Sequence, residues 1–305
     1  MVIGIDTASV AGNRAIDWTK AKSSGIAFAI IRAAYGTGKD TKFDQEWPRI
    51  KAAGIVRGAY LFLRFPCHSK NIYKVPTPTA QAEAVCKFVG KLDPNDFPIS
   101  LDVEFPGEGQ PDTGMTSAQL LKGVLEAWNV LKNNYGVAPL VYTSARVWID
   151  DLKNLPVPGT VTESLLWLAR YAFAPGPAVM NLDQVANPPV PPPWAGSDPK
   201  LITYRGEPYS NQNWCAHQAQ GDATDCPGFS GAVDMNRVRP VVKGDSGERV
   251  KWLQRRLGFT GTNVDGKFGP MTDAAVRKLQ ASKPDVVADG IVGPRTYAYL
   301  CWQNP

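Results

Sequence analysis

The sequence predicts an α/β barrel followed by a small helical unit, on three observations. Apolar strand patterns and amphipathic helix patterns alternate five times from the N-terminus. Three further strand patterns follow with no convincing helix between them, and after Pro240 the composition changes and a short motif repeats. Alternation of this kind argues for parallel strands wrapped by helices, with the last third of the wrapping lost. A chain of 305 residues suits one large and one small domain, and the change in composition places them at 1–240 and 241–305.

In chain order, Val2 to Asp6 is a short apolar strand ending in an acid. Ile16-Asp17-Trp18 to Lys22 is a short helix closed by Gly25, and Ile26 to Ala34 is an apolar run suited to a strand buried on both faces. Phe43, Trp47 and Ile50 recur at helical spacing before Gly54. Val56 to Arg64 is the third strand, Thr79 to Lys91 the next helix, and Pro98 to Glu104 the fourth strand. Thr116-Ser117-Ala118-Gln119 is a capping box that opens a long helix to Gly136. Ala138 to Thr143 is strand five, and a helix is expected near Ala145 to Lys153. The last strands are expected at Leu165 to Tyr171, Asn213 to Gln218 and Ala232 to Met235.

Ala172 to Asn211, with Pro188 to Trp194 inside it, is a long connection that either serves the mouth of the barrel or forms a stiff surface spacer. Beyond Pro240, Asp265-Gly266-Lys267-Phe268-Gly269-Pro270-Met271-Thr272 recurs as Asp289-Gly290-Ile291-Val292-Gly293-Pro294-Arg295-Thr296. Each copy sets a glycine turn and then a proline in the first turn of a helix, where its missing N–H costs nothing. Three short helices around one small core are expected.

The net charge of +5 is mild and dispersed, which fits attraction to an anionic polymer and gives no sign of a nucleic-acid module. No apolar run approaches membrane-spanning length, and Met1 to Asp6 goes straight into a strand pattern, so neither membrane insertion nor a signal peptide is expected. The five cysteines are an odd count and cannot all pair within the chain. Cys215 with Cys226 and Cys67 with Cys86 are possible pairs, and five reduced thiols are the expectation without an export signal.

The chemistry concentrates in Ser100-Leu101-Asp102-Val103-Glu104-Phe105. Side chains alternate along a strand, so Asp102 and Glu104 share one side. Glycosidic cleavage needs an acid to protonate the leaving oxygen and a carboxylate to stabilise the positive charge developing on the sugar. Crowding two acids raises one pKa and keeps a proton available near neutral pH. A bare D-x-E is equally an exposed strand end with two solvated acids, so its surroundings decide.

Those surroundings resemble glycoside hydrolase family 25, the Chalaropsis-type lysozymes. The resemblance rests on Gly4-Ile5-Asp6, Ile16-Asp17-Trp18, Ile30 to Gly36, Gly58 to Phe62, Leu101 to Glu104, Val141-Tyr142-Thr143, Leu166 to Tyr171 and Val233 to Asn236, in order over residues 2 to 238. Gly244 to Leu300 resembles the three-helix peptidoglycan-binding domain of wall hydrolases. The resemblance implies a TIM-like (β/α)5β3 barrel and a muramidase cutting the β-1,4 bond between N-acetylmuramic acid and N-acetylglucosamine. Glu104 would be the general acid. Asp102 would be the nucleophile or the support of an attack by the substrate's own acetamido oxygen, with Asp6 and Asp234 completing an acidic floor. The partner implied is bacterial peptidoglycan, acted on by a monomer without metal or other cofactor. The source implied is a phage endolysin released to the wall, or a secreted lysozyme. Two places depart from the usual pattern: Arg32 to Gly36 stands for Lys-x-Thr-Glu-Gly, and Leu61 for a histidine.

The aromatics Tyr35, Tyr60, Phe62, Tyr142, Trp167, Tyr171 and Trp214 fall at or near strand ends, with Gln218 beside them. They are candidates for sugar contact, although aromatics also supply much of any core. The two histidines, His68 and His217, have no zinc-ligand spacing, and Cys67-His68 lacks the geometry of a working dyad. His217 is expected at a strand end near the cleft. Two other readings remain: a wall-binding protein on a retired barrel, which predicts loss of the acids, and a family 18-type chitinase. The latter needs a longer D-x-x-D-x-D-x-E run, whereas Pro98, Ile99 and Ser100 precede Asp102.

Overall fold

The computed structural model describes residues 1–12, 15–70, 72, 74–105, 112–144, 146–153, 155–156, 164–169, 203–204, 207–208 and 215–303. Eight strands close into a barrel: β1 (Val2–Thr7), β2 (Phe28–Tyr35), β4 (Val56–Phe62), β5 (Ser100–Asp102), β6 (Leu140–Ser144), β7 (Leu166–Ala169), β10 (Ala216–Ala223) and β11 (Val233–Val238), which returns to β1. A two-residue strand, β3 (Gly38–Lys39), folds back on the end of β2. β8 (Thr203–Tyr204) and β9 (Glu207–Pro208) pair with each other inside the long connection. The rest of that connection, including the proline-rich stretch, lies outside the described residues, as do Tyr171 and Trp214.

Six neighbouring pairs around the barrel are parallel. The eighth strand corrects the all-parallel expectation: β11 is antiparallel to both β10 and β1. The reason is the short link after Ala223. A parallel return needs a crossover of a dozen or more residues, whereas residues 224–232 allow only a hairpin-like turn.

The helices pack outside. α1 (Trp18–Ser23) is capped by Asp17, whose carboxylate accepts from the Lys20 amide. α2 (Phe43–Ala52) buries Phe43, Glu46 and Ile50, and α3 (Pro78–Val89) starts on the Thr77 side-chain cap with proline in its first turn. α4 (Ser117–Tyr135) begins with the expected capping box and ends on left-handed Gly136. The helix expected near 145–153 is a single π-helical turn, Val147–Asp151. One hydrophobic cluster fills the layer between these helices and the sheet.

A second cluster fills the barrel's interior below its mouth. It joins Phe28, Val56, Phe97, Leu140, Leu165 and Val238 to Val250, Trp252, Leu253, Tyr297, Leu300 and Cys301 of the C-terminal helices. Gly4 faces Phe28 so closely that an added Cβ would sit 2.5 Å from the ring, so the interior accepts no side chain there. The C-terminal helices are α5 (Glu248–Arg256), α6 (Pro270–Ala281) and α7 (Pro294–Cys301). They sit beneath the strand starts. Trp302 donates from its ring nitrogen to the Asp96 carbonyl at 2.9 Å, and Arg295 donates to the Gly54 carbonyl at 2.7 Å. All five thiols are free, four of them buried. Among the described residues no helix is long and apolar enough to cross a membrane.

Candidate active site

β1 and β11 run in opposite directions, and their register pairs Asp6 with Asp234. Directly opposed residues of an antiparallel pair share a face. The reversed strand therefore brings an acid from its beginning to the same mouth that β1 reaches at its end. Across the barrel, Phe62, Asp102 and Tyr142 are in register on β4, β5 and β6. The pairing continues past Asp102: the Val103 amide donates to the Tyr142 carbonyl at 2.9 Å, and Thr143 Oγ1 donates to the Val103 carbonyl at 3.1 Å. Glu104 is thus held on backbone that is still bonded to the sheet.

The four acids meet in a cleft of about 290 Å³, lined also by Arg32, Tyr60, Phe62, Tyr142, Trp167 and Gln218. Gln218 donates to Asp6 at 2.8 Å and Asp234 at 3.1 Å while its oxygen accepts from the Tyr142 hydroxyl at 2.8 Å. Asn236 donates to Asp6 at 2.6 Å, and its oxygen accepts from the Trp167 ring N–H at 2.7 Å. An indole N–H only donates, so Trp167 fixes which end of Asn236 faces the acid. The backbone amide of Asp222, a residue in the left-handed region at φ 52°, donates to Asp234 at 2.7 Å.

Burial dominates the electrostatics. It pushes Asp6 well above the ordinary carboxylate value, reinforced by Asp234 and opposed by the two amides. Asp102 is likewise pushed well up by burial, then by Glu104 and Asp6, with Arg32 pulling it back. Glu104 is raised by burial and eased by Tyr142 and Arg146. Asp234 is pushed up to about 6, again mainly by burial. These groups cannot all ionise together, so they share protons as one system. Asp102 Oδ1 is buried with no hydrogen-bond partner among the described residues, a condition native interiors rarely leave unanswered.

Of the sequence candidates, the structure brings Asp6, Tyr60, Phe62, Asp102, Glu104, Tyr142, Trp167, Gln218 and Asp234 into the cleft. Tyr35 lies outside the lining, 43% exposed and stacked at a tilt on Phe62 with Arg64 over its ring. It follows inward-facing Arg32 by an odd number of residues, and the β2–β4 register slips between Arg32 and Ala34. His217 is fully buried, away from the cleft, and accepts from Arg237 Nε at 2.8 Å. Asn236 and Arg32 were not among the candidates, though Asn236 sits two residues from Asp234 and so shares its face. Among the described residues no group of His, Cys, Asp and Glu has the arrangement of a metal site.

Comparison with known proteins matches residues 5–186 to the family described as glycosyl hydrolases family 25. Residues 246–300 match a peptidoglycan binding domain. Lysozyme M1 of Streptomyces globisporus is 32% identical over 176 residues, 57% of this chain and 56% of that protein. The autolytic lysozyme of Clostridium acetobutylicum is 26% identical over 283 residues, 91% of this chain and 72% of that protein. The chain thus spans little more than half the length of the first relative. The crystal structure of the bacterial lysozyme from Streptomyces coelicolor superposes with a TM-score of 0.56 at 26% identity, covering 78% of this chain and 92% of that one.

Proposed function

The chain belongs to glycosyl hydrolases family 25, and from that premise we propose that it is a muramidase. It hydrolyses the β-1,4 bond between N-acetylmuramic acid and N-acetylglucosamine in bacterial peptidoglycan. The observation that carries this reading is four acids, Asp6 and Asp102 buried and Glu104 and Asp234 half-buried, converging on one cleft of about 290 Å³, each with its pKa raised.

Glu104 is the general acid. Burial keeps its carboxyl protonated above the ordinary range, so it can give that proton to the glycosidic oxygen as the bond to the anomeric carbon breaks. Asp102 faces the positive charge that develops there. Its Oδ1, partnerless among the described residues, is suited to two roles: bonding to the anomeric carbon, or accepting from the N–H of the substrate's acetamido group while that group's oxygen attacks. Water then restores the sugar as a new reducing end. Asp6 and Asp234, fixed by Gln218 and Asn236, supply negative potential around the reacting ring, and Tyr60, Phe62, Tyr142 and Trp167 give it walls.

We read residues 1–240 as a (β/α)5β3 catalytic barrel, supported by five strand-to-strand crossovers on its helical side and, among the described residues, by the direct succession of β11 on β10 with no helix between them. Residues 241–305 are read as a three-helix wall-binding unit, supported by the match over 246–300. The place of action is the wall, reached by phage-encoded release or by secretion. A wall-binding protein on a retired barrel would not need to gather four acids at one mouth.

Mass spectrometry of digested peptidoglycan, with Glu104→Gln as control, tests the proposal. New reducing ends on N-acetylmuramic acid from the wild type alone would support it. Cut peptide or amide bonds, or intact glycan, would sink it.

A further inference from the structure

Among the described residues, Arg32 is the one basic side chain lining the acidic cleft. It is held by design rather than by chance contact. Asp40, on the turn after β3, accepts from Arg32 Nε at 2.9 Å and pairs with Nη2 at 2.9 Å. Asp40 is itself fixed, accepting from the Ser9 amide at 3.1 Å, the Ser9 hydroxyl at 2.9 Å and the Lys42 amide at 3.0 Å, and its side chain is 2% exposed. One edge of the guanidinium is therefore spent on Asp40, with Ser9 Oγ near Nη2 at 3.5 Å. Arg32 Nη1 has no hydrogen-bond partner among the described residues, and the side chain is 12% exposed.

A cation fixed on one edge and open on the other is arranged to receive an acceptor, and a guanidinium matches a carboxylate best. The two sugars of peptidoglycan differ in this respect. N-acetylmuramic acid carries a lactyl ether ending in a carboxyl group, free or linked to a stem peptide that bears carboxylates of its own, whereas N-acetylglucosamine is uncharged. In a cleft crowded with acids an anionic substituent is repelled unless a donor is placed for it.

Building on the muramidase reading, we propose that Arg32 is the anion-recognising residue of the cleft, receiving a carboxylate of the muramyl substituent and so favouring peptidoglycan over uncharged chitin-like glycan. Asp40 and Ser9 are positioning residues that aim it.

The test compares soluble peptidoglycan oligomers in two forms, native with stem peptides and stripped of them so that only the lactyl carboxylate remains, each before and after conversion of its carboxylates to amides by carbodiimide coupling. kcat/KM is measured by reducing-end release for the full chain and for the Arg32→Met/Asp40→Asn double variant, which removes both charges together and leaves neither buried alone. Amidation of at least one form should lower the wild-type kcat/KM about tenfold or more, the scale of a hydrogen bond to a charged group. The double variant should lose a similar factor on that form and be indifferent to its amidation. An amidation effect on the stripped glycan assigns the carboxylate to the lactyl group, and one confined to the native form assigns it to the stem peptide. If amidation leaves the wild type within about twofold on both forms, or lowers wild type and variant by the same factor, the proposal is overturned although the muramidase reading stands. If the wild type cuts neither form, the muramidase reading falls and takes this one with it.

Discussion

Carboxamide side chains organise both ends of this molecule, and they do so with opposite results. In the C-terminal helices Gln254 reaches Asp265 Oδ1 at 2.8 Å, the Lys267 carbonyl at 3.2 Å and Thr272 Oγ1 at 3.2 Å, while its oxygen accepts from the Gly266 amide at 2.9 Å. Gln280 repeats the set with Asp289, Ile291, Thr296 and Gly290. Each glutamine closes a left-handed glycine turn, and both polar atoms of its carboxamide are answered. At the barrel mouth Gln218 and Asn236 are just as fully bonded, yet the acids they serve remain unsettled. Asp265 is exposed, and its hydrogen bonds hold its carboxyl below the ordinary range. Asp6 and Asp234 accept similar bonds and are still pushed up by burial. An amide can finish a turn, but it cannot stand in for water around a buried acid. Where local structure is complete the molecule is a scaffold, and where it is left incomplete the molecule can react.

That contrast can be broken most sharply at Glu104. Glu104→Gln should lower reducing-end release by about 10²–10⁴-fold with an unchanged circular dichroism spectrum. A drop of less than tenfold would make the mouth another scaffold. Next in size are Gln254→Ala and Gln280→Ala, each leaving several buried groups unpaired. Each should cost about 2–4 kcal/mol in urea unfolding, and markedly unequal losses would show that the two turns are not equivalent.

Asp234 gives a smaller, pH-dependent effect. Folding raises its pKa from 3.8 to about 6, so its contribution to stability is whole below its unfolded pKa and is lost as pH rises through about 6. The loss amounts to at most roughly 3 kcal/mol. Asp234→Asn should therefore melt higher than wild type at pH 8 and close to it at pH 4, and the reverse order would refute the electrostatic account of the mouth. The smallest effect belongs to Lys267→Ile, since the first turn uses only backbone atoms of Lys267 and the second already has Ile291 there. A change within about 0.5 kcal/mol is expected.

Much of the barrel is legible in sequence because buried parallel strands are written as apolar runs. The direction of β11 is not, since Val233-Asp234-Met235 alternates alike read either way. Only the length of the preceding link decides, and the strand pattern at Asn213 to Gln218 hides that β10 runs on to Ala223. The glutamine turns are masked by unequal spacing, Gln254 standing 11 residues before its aspartate and Gln280 only 9. Asp102 and Glu104 stand out because acids interrupt an apolar strand. Arg32 does not, because its meaning depends on Asp40, which reaches it only through the β3 turn.

The seating of the C-terminal helices under the barrel bears on how far the enzyme can reach. A flexible tether would let one anchored molecule sweep a sphere of wall. Here Val241 is buried and exchanges backbone hydrogen bonds with Val292, so no slack separates the two parts. If the helices hold the wall as proposed, the cleft stands at a fixed height and heading above its anchor, and the footprint of each landing is no wider than the molecule. To cut elsewhere it would have to let go and land again, which would make the rate of release from the wall, as much as the chemistry proposed at Glu104, the pace of lysis.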